Sequence, residues 1–306
     1  MKQFIKIKTF AFVLLLALSL SSFAQNDDQD DEPTKPLRKR KFLVGMYLGS
    51  YFANKYSAST YNGYGFDYYG QKNSFLNSFM NQKINEQYGG KYGQPDQIAA
   101  ALGVDPGQWT FNESDMPQNM HYTPSIVVGF NFRHALDKKT AILLNFNGCK
   151  LNLQGNFTMT LLRPSGTNPA INSNIQTFGI KGGEQRLLFQ LGFQRLLGDD
   201  DKLNFFVETG FNGTLAKFDK NLIMINNLQI DLTNYYNQTL YAAPGQFRRP
   251  IGFGVGAFAG FGLNVDINPK FLIQLLYSPT YEKINIGTNP TLKLQNSIGF
   301  RAYYKV

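Results

Sequence analysis

The 306-residue chain has a single cysteine, Cys149, so no internal disulfide can form, and its two histidines, His121 and His134, fit no metal-ligand spacing. A zinc module and a disulfide-stapled scaffold are excluded. After the first 24 residues no apolar run approaches the roughly 20 residues of a membrane-crossing helix. Ser165-Gly166, Gly182-Gly183 and Gly252-x-Gly254 resemble phosphate loops, but none opens a helix after a strand, which excludes a dinucleotide site. Charge of either sign is sparse. Three of the 30 lysines and arginines fall in the first 24 residues, leaving 27 against 21 acids, a scattered excess of about +6. That balance points away from nucleic acid.

What is present starts with Lys2, Lys6 and Lys8, then the apolar stretch Phe10 to Leu20 and Ser22-Phe23-Ala24. This is the pattern of a secretory signal peptide over 1–24, cleaved after Ala24. Residues 25–41 follow as a charged leader, acidic at Asp27, Asp28, Asp30, Asp31 and Glu32 and basic at Arg38 to Lys41. The leader is too polar to bury a core and is expected to be disordered in the periplasm.

The strongest pattern lies in Ile251–Asp266. Ile251, Phe253, Val255, Ala257, Ala259, Phe261, Leu263 and Val265 occupy one parity, and the other parity is mostly glycine. Strict alternation over sixteen residues, with a small or polar second face, is the pattern of a transmembrane β-strand, apolar to lipid and small to the lumen. Similar runs start at Phe42, Ser125, Ala141, Glu184, Leu203, Phe271 and Leu292. The sequence therefore predicts an all-β fold: an antiparallel up-and-down transmembrane β-barrel of about eight strands spanning 42–306. Leu136–Lys139, Gly198–Lys202 and Ile267–Lys270 are tight turns, while the alternate connections are long, as in outer-membrane barrels. Parity slips near Asn145 to Cys149, which predicts a bulge. Residues 163–183, 219–249 and 278–290 are expected as loops. Within 219–249, Leu228, Ile230 and Leu232 alternate with Gln229 and Asp231, a projecting hairpin.

The long extracellular loop 54–122 carries two helical patterns, 74–88 and 95–102. Its tyrosines and apolar residues form a candidate recognition surface: Tyr64, Tyr68, Tyr69, Phe75, Phe79 and the one tryptophan, Trp109. Arg133, Arg186, Glu208 and Arg301 fall on the lumenal parity, and burial would require them to form a charge network. No catalytic, cofactor or metal residues are assigned. A barrel hydrolase needs a histidine beside a serine or carboxylate, and only His121, after Glu113, Ser114 and Asp115, comes near that pattern.

The signal ending Ser22-Phe23-Ala24-Gln25, the first strand Phe42-Leu43-Val44-Gly45-Met46-Tyr47-Leu48-Gly49 and the closing strand Ser297 to Val306 resemble the small outer-membrane barrels. These include the PorT-like proteins of type IX secretion and gliding, and the OmpA/OmpX-type barrels. Two features depart from the pattern: Tyr304 rather than the last residue is aromatic, and the first loop is long and helical. The resemblance implies a non-enzymatic structural or accessory component of an envelope machine, in contact with outer-membrane lipid and an envelope protein partner. Adhesion to an extracellular ligand through the loops is the alternative, ahead of an outer-membrane hydrolase and a narrow channel.

Overall fold

The computed structural model describes residues 42–67, 69–88, 93–162, 175–198, 202–238, 251–286 and 291–306. The signal segment 1–24, the leader 25–41 and Tyr68 lie outside the described residues. Eight strands form the barrel: β1 Phe42–Phe52, β2 Ser125–Ala135, β3 Thr140–Leu161, β4 Ile175–Leu197, β5 Leu203–Ile225, β6 Ile251–Asp266, β7 Phe271–Asn285 and β8 Lys293–Lys305. Each pairs antiparallel with its sequence neighbour, and β8 closes on β1. Among the described residues no helix is long and apolar enough to cross a membrane.

The register fixes the geometry. Pairing from Val44 runs through Phe132, Leu144, Leu191, Phe211, Ala257 and Tyr281 to Leu294, ten residues before Tyr304, Val44's own partner. A stagger of ten over eight strands tilts them by about 40°, so each residue climbs about 2.5 Å along the barrel axis.

Local chemistry closes the lower end. Asp137 accepts from the backbone N–H groups of Lys139 and Thr140 at 2.7 and 2.6 Å. Asn268 accepts from those of Lys270 and Phe271 at 2.9 and 2.8 Å. These Asx turns hold β2–β3 and β6–β7 in tight hairpins.

The strands are unequal. β3, β4 and β5 have 22 or 23 residues, whereas the other five have 11 to 16. At about 2.5 Å each, the longer three rise some 20 Å above the rest as a flange. The flange edges are paired: Trp109–Thr110 and His121–Tyr122 lie along upper β3, and Leu228–Asp231 folds back on upper β5. That last pairing is the hairpin foreseen within 219–249.

β3 has no bulge near Asn145 to Cys149, because its pairing with β2 and β4 is continuous there. The bulge is at Asp219 in β5, where Gly183 faces Lys220 and Glu184 faces Phe218. β5 and β7 also run on into segments expected as loops, and β4 begins before Glu184.

The first loop folds over the flange. Its helices are α1 Lys55–Ala58, α2 Phe79–Ile84 and α3 Gln94–Leu102, shorter for α2 than the 74–88 pattern suggested. Ser78 caps α2 by accepting from Asn81 N, and Gly103 ends α3 in the left-handed conformation, φ 69°, which glycine adopts without strain.

Candidate functional site

The outward face changes chemistry with height. On β4, Leu187, Phe189, Leu191, Phe193 and Leu197 face out, eleven residues from end to end, or about 25 Å of axis, interrupted on that parity by Arg195 near the lower edge, where a long cationic side chain can reach out of the apolar layer. This matches the apolar band of a membrane barrel. Phe211 of β5 is 75% exposed and Ile126 of β2 71%. An apolar surface running around a barrel at one height is the face such a barrel turns to lipid.

Above the band the pattern inverts without any change of parity. On β3 the outward residues become Lys150, Asn152, Gln154 and Asn156, and the inward ones Leu151, Leu153, Phe157, Met159 and Leu161. The lower half is a membrane barrel, and the upper half is built as a water-soluble one. The apparent parity slip in the sequence is this inversion.

The upper interior is a packed head. Tyr61 stacks on Phe218, ring centroids 4.9 Å apart, and Phe218 on Tyr236 at 4.6 Å. Met80, Ile84, Ile98 and Leu102 from α2 and α3 join Leu151, Phe157, Ile223 and Ile230 in the same cluster. Asn226 at the hairpin tip donates to Ala101 O at 2.7 Å, and Asn221 donates to Tyr61 O at 2.9 Å. The apolar helix faces are thus covered by the flange itself.

The candidate recognition residues do not share one surface. Tyr64 and Phe79 are buried in the head core, which removes them from any free contact face. Phe75 is partly buried and packs on Phe111 at 5.7 Å. Trp109 is half-buried and pairs with Leu161. Tyr69 alone of the described members is prominently displayed, at 78% exposed. Aromatic composition could not distinguish a loop that binds from a loop that packs.

The lumen is filled. Low in the barrel, Arg301 donates to both Glu208 oxygens, at 2.7 and 2.9 Å. Gln194 donates to Glu208 and exchanges hydrogen bonds with Gln274, which also donates to Asn264. Gly260 makes room, since a Cβ there would lie 2.7 Å from Glu208 Cγ. Arg133 is buried nearby and has no carboxylate within ion-pair distance among the described residues. Higher up, Asn131 donates to Asn145, and Asn145 to Gln190.

Arg186 does not join that pair, so the four predicted charges form two separate groups. Near the upper edge of the band Arg186 Nε donates to Glu184 at 2.5 Å, and its other nitrogens reach the Tyr51 and Tyr122 hydroxyls. Tyr61 and Tyr122 donate to the second Glu184 oxygen at 2.9 and 2.8 Å. Glu282 accepts from Tyr51, Asn212 and Thr214. The upper group therefore holds two carboxylates against one guanidinium, and the lower group two guanidiniums against one carboxylate. Hydrogen bonds to both oxygens of Glu184, Glu208 and Glu282 offset the cost of burying these carboxylates. Glu282 escapes sequence reasoning because it lies in 278–290, a segment expected as a loop, whereas Glu184 opens an expected strand on the parity of Arg186 and could have been found by extending that parity one step.

His121 is exposed. Its Nδ1 lies 2.9 Å from Asn119 O and its Nε2 3.4 Å from Gln154 Nε2, so neither serine nor carboxylate engages the ring.

No family model matches the chain, and no curated protein matches it. Among solved structures, Neisserial surface protein A aligns at 7% identity and TM-score 0.38, covering 87% of this chain and 97% of that one. Ail, the attachment invasion locus protein of Yersinia pestis, aligns at 9% and 0.34, over 87% and 97%. The outer membrane protein OprG from Pseudomonas aeruginosa aligns at 10% and 0.34, over 87% and 93%. At such scores the similarity adds nothing to what the strand pairing shows.

Proposed function

We propose that the protein resides in the cell outer membrane and acts, without catalysis, as an accessory component of an envelope machine, with type IX protein secretion as the process. The observation that carries the membrane part is the 25 Å apolar band with its inverted, water-adapted continuation above. The filled lumen speaks against solute passage. The head, built from β3–β5 and the first loop, is then the part with surface available to another protein outside the membrane. The secretion assignment rests on the resemblance of the first and closing strands to PorT-like proteins.

The test is crosslinking in native membranes followed by detergent extraction and identification of bound proteins. Recovery of secretion components crosslinked to residues 54–122 or 219–238 supports the assignment. Recovery only of a cargo-independent adhesion target, or normal secretion in a deletion strain, contradicts it.

A further inference from the structure

Beside Glu282 a cavity of about 460 Å³ lies between residues 56–72 of the first loop and the upper ends of β7 and β8. That volume suits a small molecule, whose sites span roughly 300–1,000 Å³. Two of its lining side chains, Glu282 and Gln295, are each 1% exposed. They lie on adjacent strands one diagonal step apart, since Gln295 pairs with Thr280. Glu282 Oε2 takes hydrogen bonds from Asn212 and Thr214, while Oε1 takes only that of Tyr51. Gln295 Oε1 accepts from Asn54 N at 2.6 Å, which orients the amide, and its Nε2 has no partner. Both residues line the cavity, and a carboxylate with spare acceptor capacity and an amide with an unused donor are the groups to which a hydroxyl can donate and from which it can accept.

The rim supplies positive charge. Lys293 is the direct cross-strand partner of Glu282, yet its Nζ lies 4.1 Å from the Tyr56 ring centroid. Lys72 Nζ lies 3.4 Å from the Tyr64 centroid. Both lysines line the cavity, with Ser59 and Thr60, and neither makes an ion pair among the described residues.

We propose that this cavity binds an acidic sugar. Its ring hydroxyls engage Glu282 and Gln295, and its acidic group is held by Lys293 and Lys72. A free uronic acid and the acidic sugar head of a glycolipid offer the same chemistry. The proposal goes beyond the secretion role and does not require it.

The experiment titrates the folded barrel in neutral detergent with glucuronate at low salt, by calorimetry. Saturable binding is expected, with glucose weaker by about tenfold or more, the loss of one charge-assisted contact. Gln295→Leu and Lys72→Met should each weaken glucuronate by about tenfold. Heat-modifiable migration checks that each variant folds, and exposed Lys72 decides the matter if Gln295→Leu does not. A second arm uses vesicles with and without a glucuronate-headed lipid. Competition by that lipid assigns the site to a glycolipid, and its absence to a free sugar. Absence of saturable glucuronate binding, equal affinity for glucose, or folded variants that bind like the unmodified protein would overturn the proposal.

Discussion

Glu208→Gln removes one negative charge from the lower lumen while preserving the shape of the side chain. Arg301 is forked onto that carboxylate through two nitrogens, and both residues are almost wholly buried. Arg133 is buried nearby without a carboxylate of its own, so the substitution leaves two guanidiniums and no anion in the lower group. Breaking a buried pair from one side costs about 3–5 kcal/mol, because the remaining charge keeps its desolvation penalty. Glu208→Gln should lose that amount. Replacing both partners, Glu208→Gln with Arg301→Met, removes one of the stranded cations and should recover much of the loss. The assay is urea unfolding in phospholipid vesicles, with the folded fraction read from heat-modifiable gel migration and extrapolated linearly. A loss below about 1 kcal/mol for Glu208→Gln, or a double variant as unstable as the single one, would show that Glu208 is not the counter-charge that keeps Arg301 buried.

Val255→Arg places a charge on the lipid face and should cost about 2–4 kcal/mol, while Asn156→Arg, outward on β3 above the band, should change stability by less than about 0.5 kcal/mol; the same urea assay compares them. Planar-bilayer recording of the folded monomer should show no stable large conductance, since side chains fill the lumen. Deleting 71–103 should leave heat-modifiable membrane insertion intact but expose the flange core at Leu151, Phe157 and Ile223, read as a gain in dye binding and protease cleavage of upper β3–β5.

The barrel was legible because its rules are local. Ile251–Asp266 alternates cleanly since lipid lies on one side and a crowded lumen on the other. The three short turns mark the lower end through side chains such as Asp137 and Asn268. What alternation cannot reveal is which face is inside. In upper β3 the solvent changes from lipid to water, so Leu151 and Leu153 turn inward on the parity that carried Asn145 and Asn147 below. That exchange looks like a register slip in a one-dimensional pattern. The true bulge at Asp219 sits in the polar run Asp219-Lys220-Asn221, where no apolar residue marks the lost phase. Glu282 was hidden by Pro279 and by polar neighbours that read as a loop. The two charge groups required the third dimension, since Arg186 and Glu208 share a parity but differ in height.

One continuous strand, β3, passes from lipid into water at Gly148–Lys150. The direct measurement is a nitroxide scan of outward positions 144, 146, 150, 152, 154 and 156 on β3, in a Cys149→Ala background and lipid vesicles. Collision with oxygen reports lipid, and collision with a water-soluble nickel complex reports solvent. Positions 144 and 146 should favour oxygen, and 150 through 156 should favour nickel. Oxygen dominance continuing to 156, or nickel access at 144 and 146, would show that β3 does not leave the lipid at Gly148–Lys150.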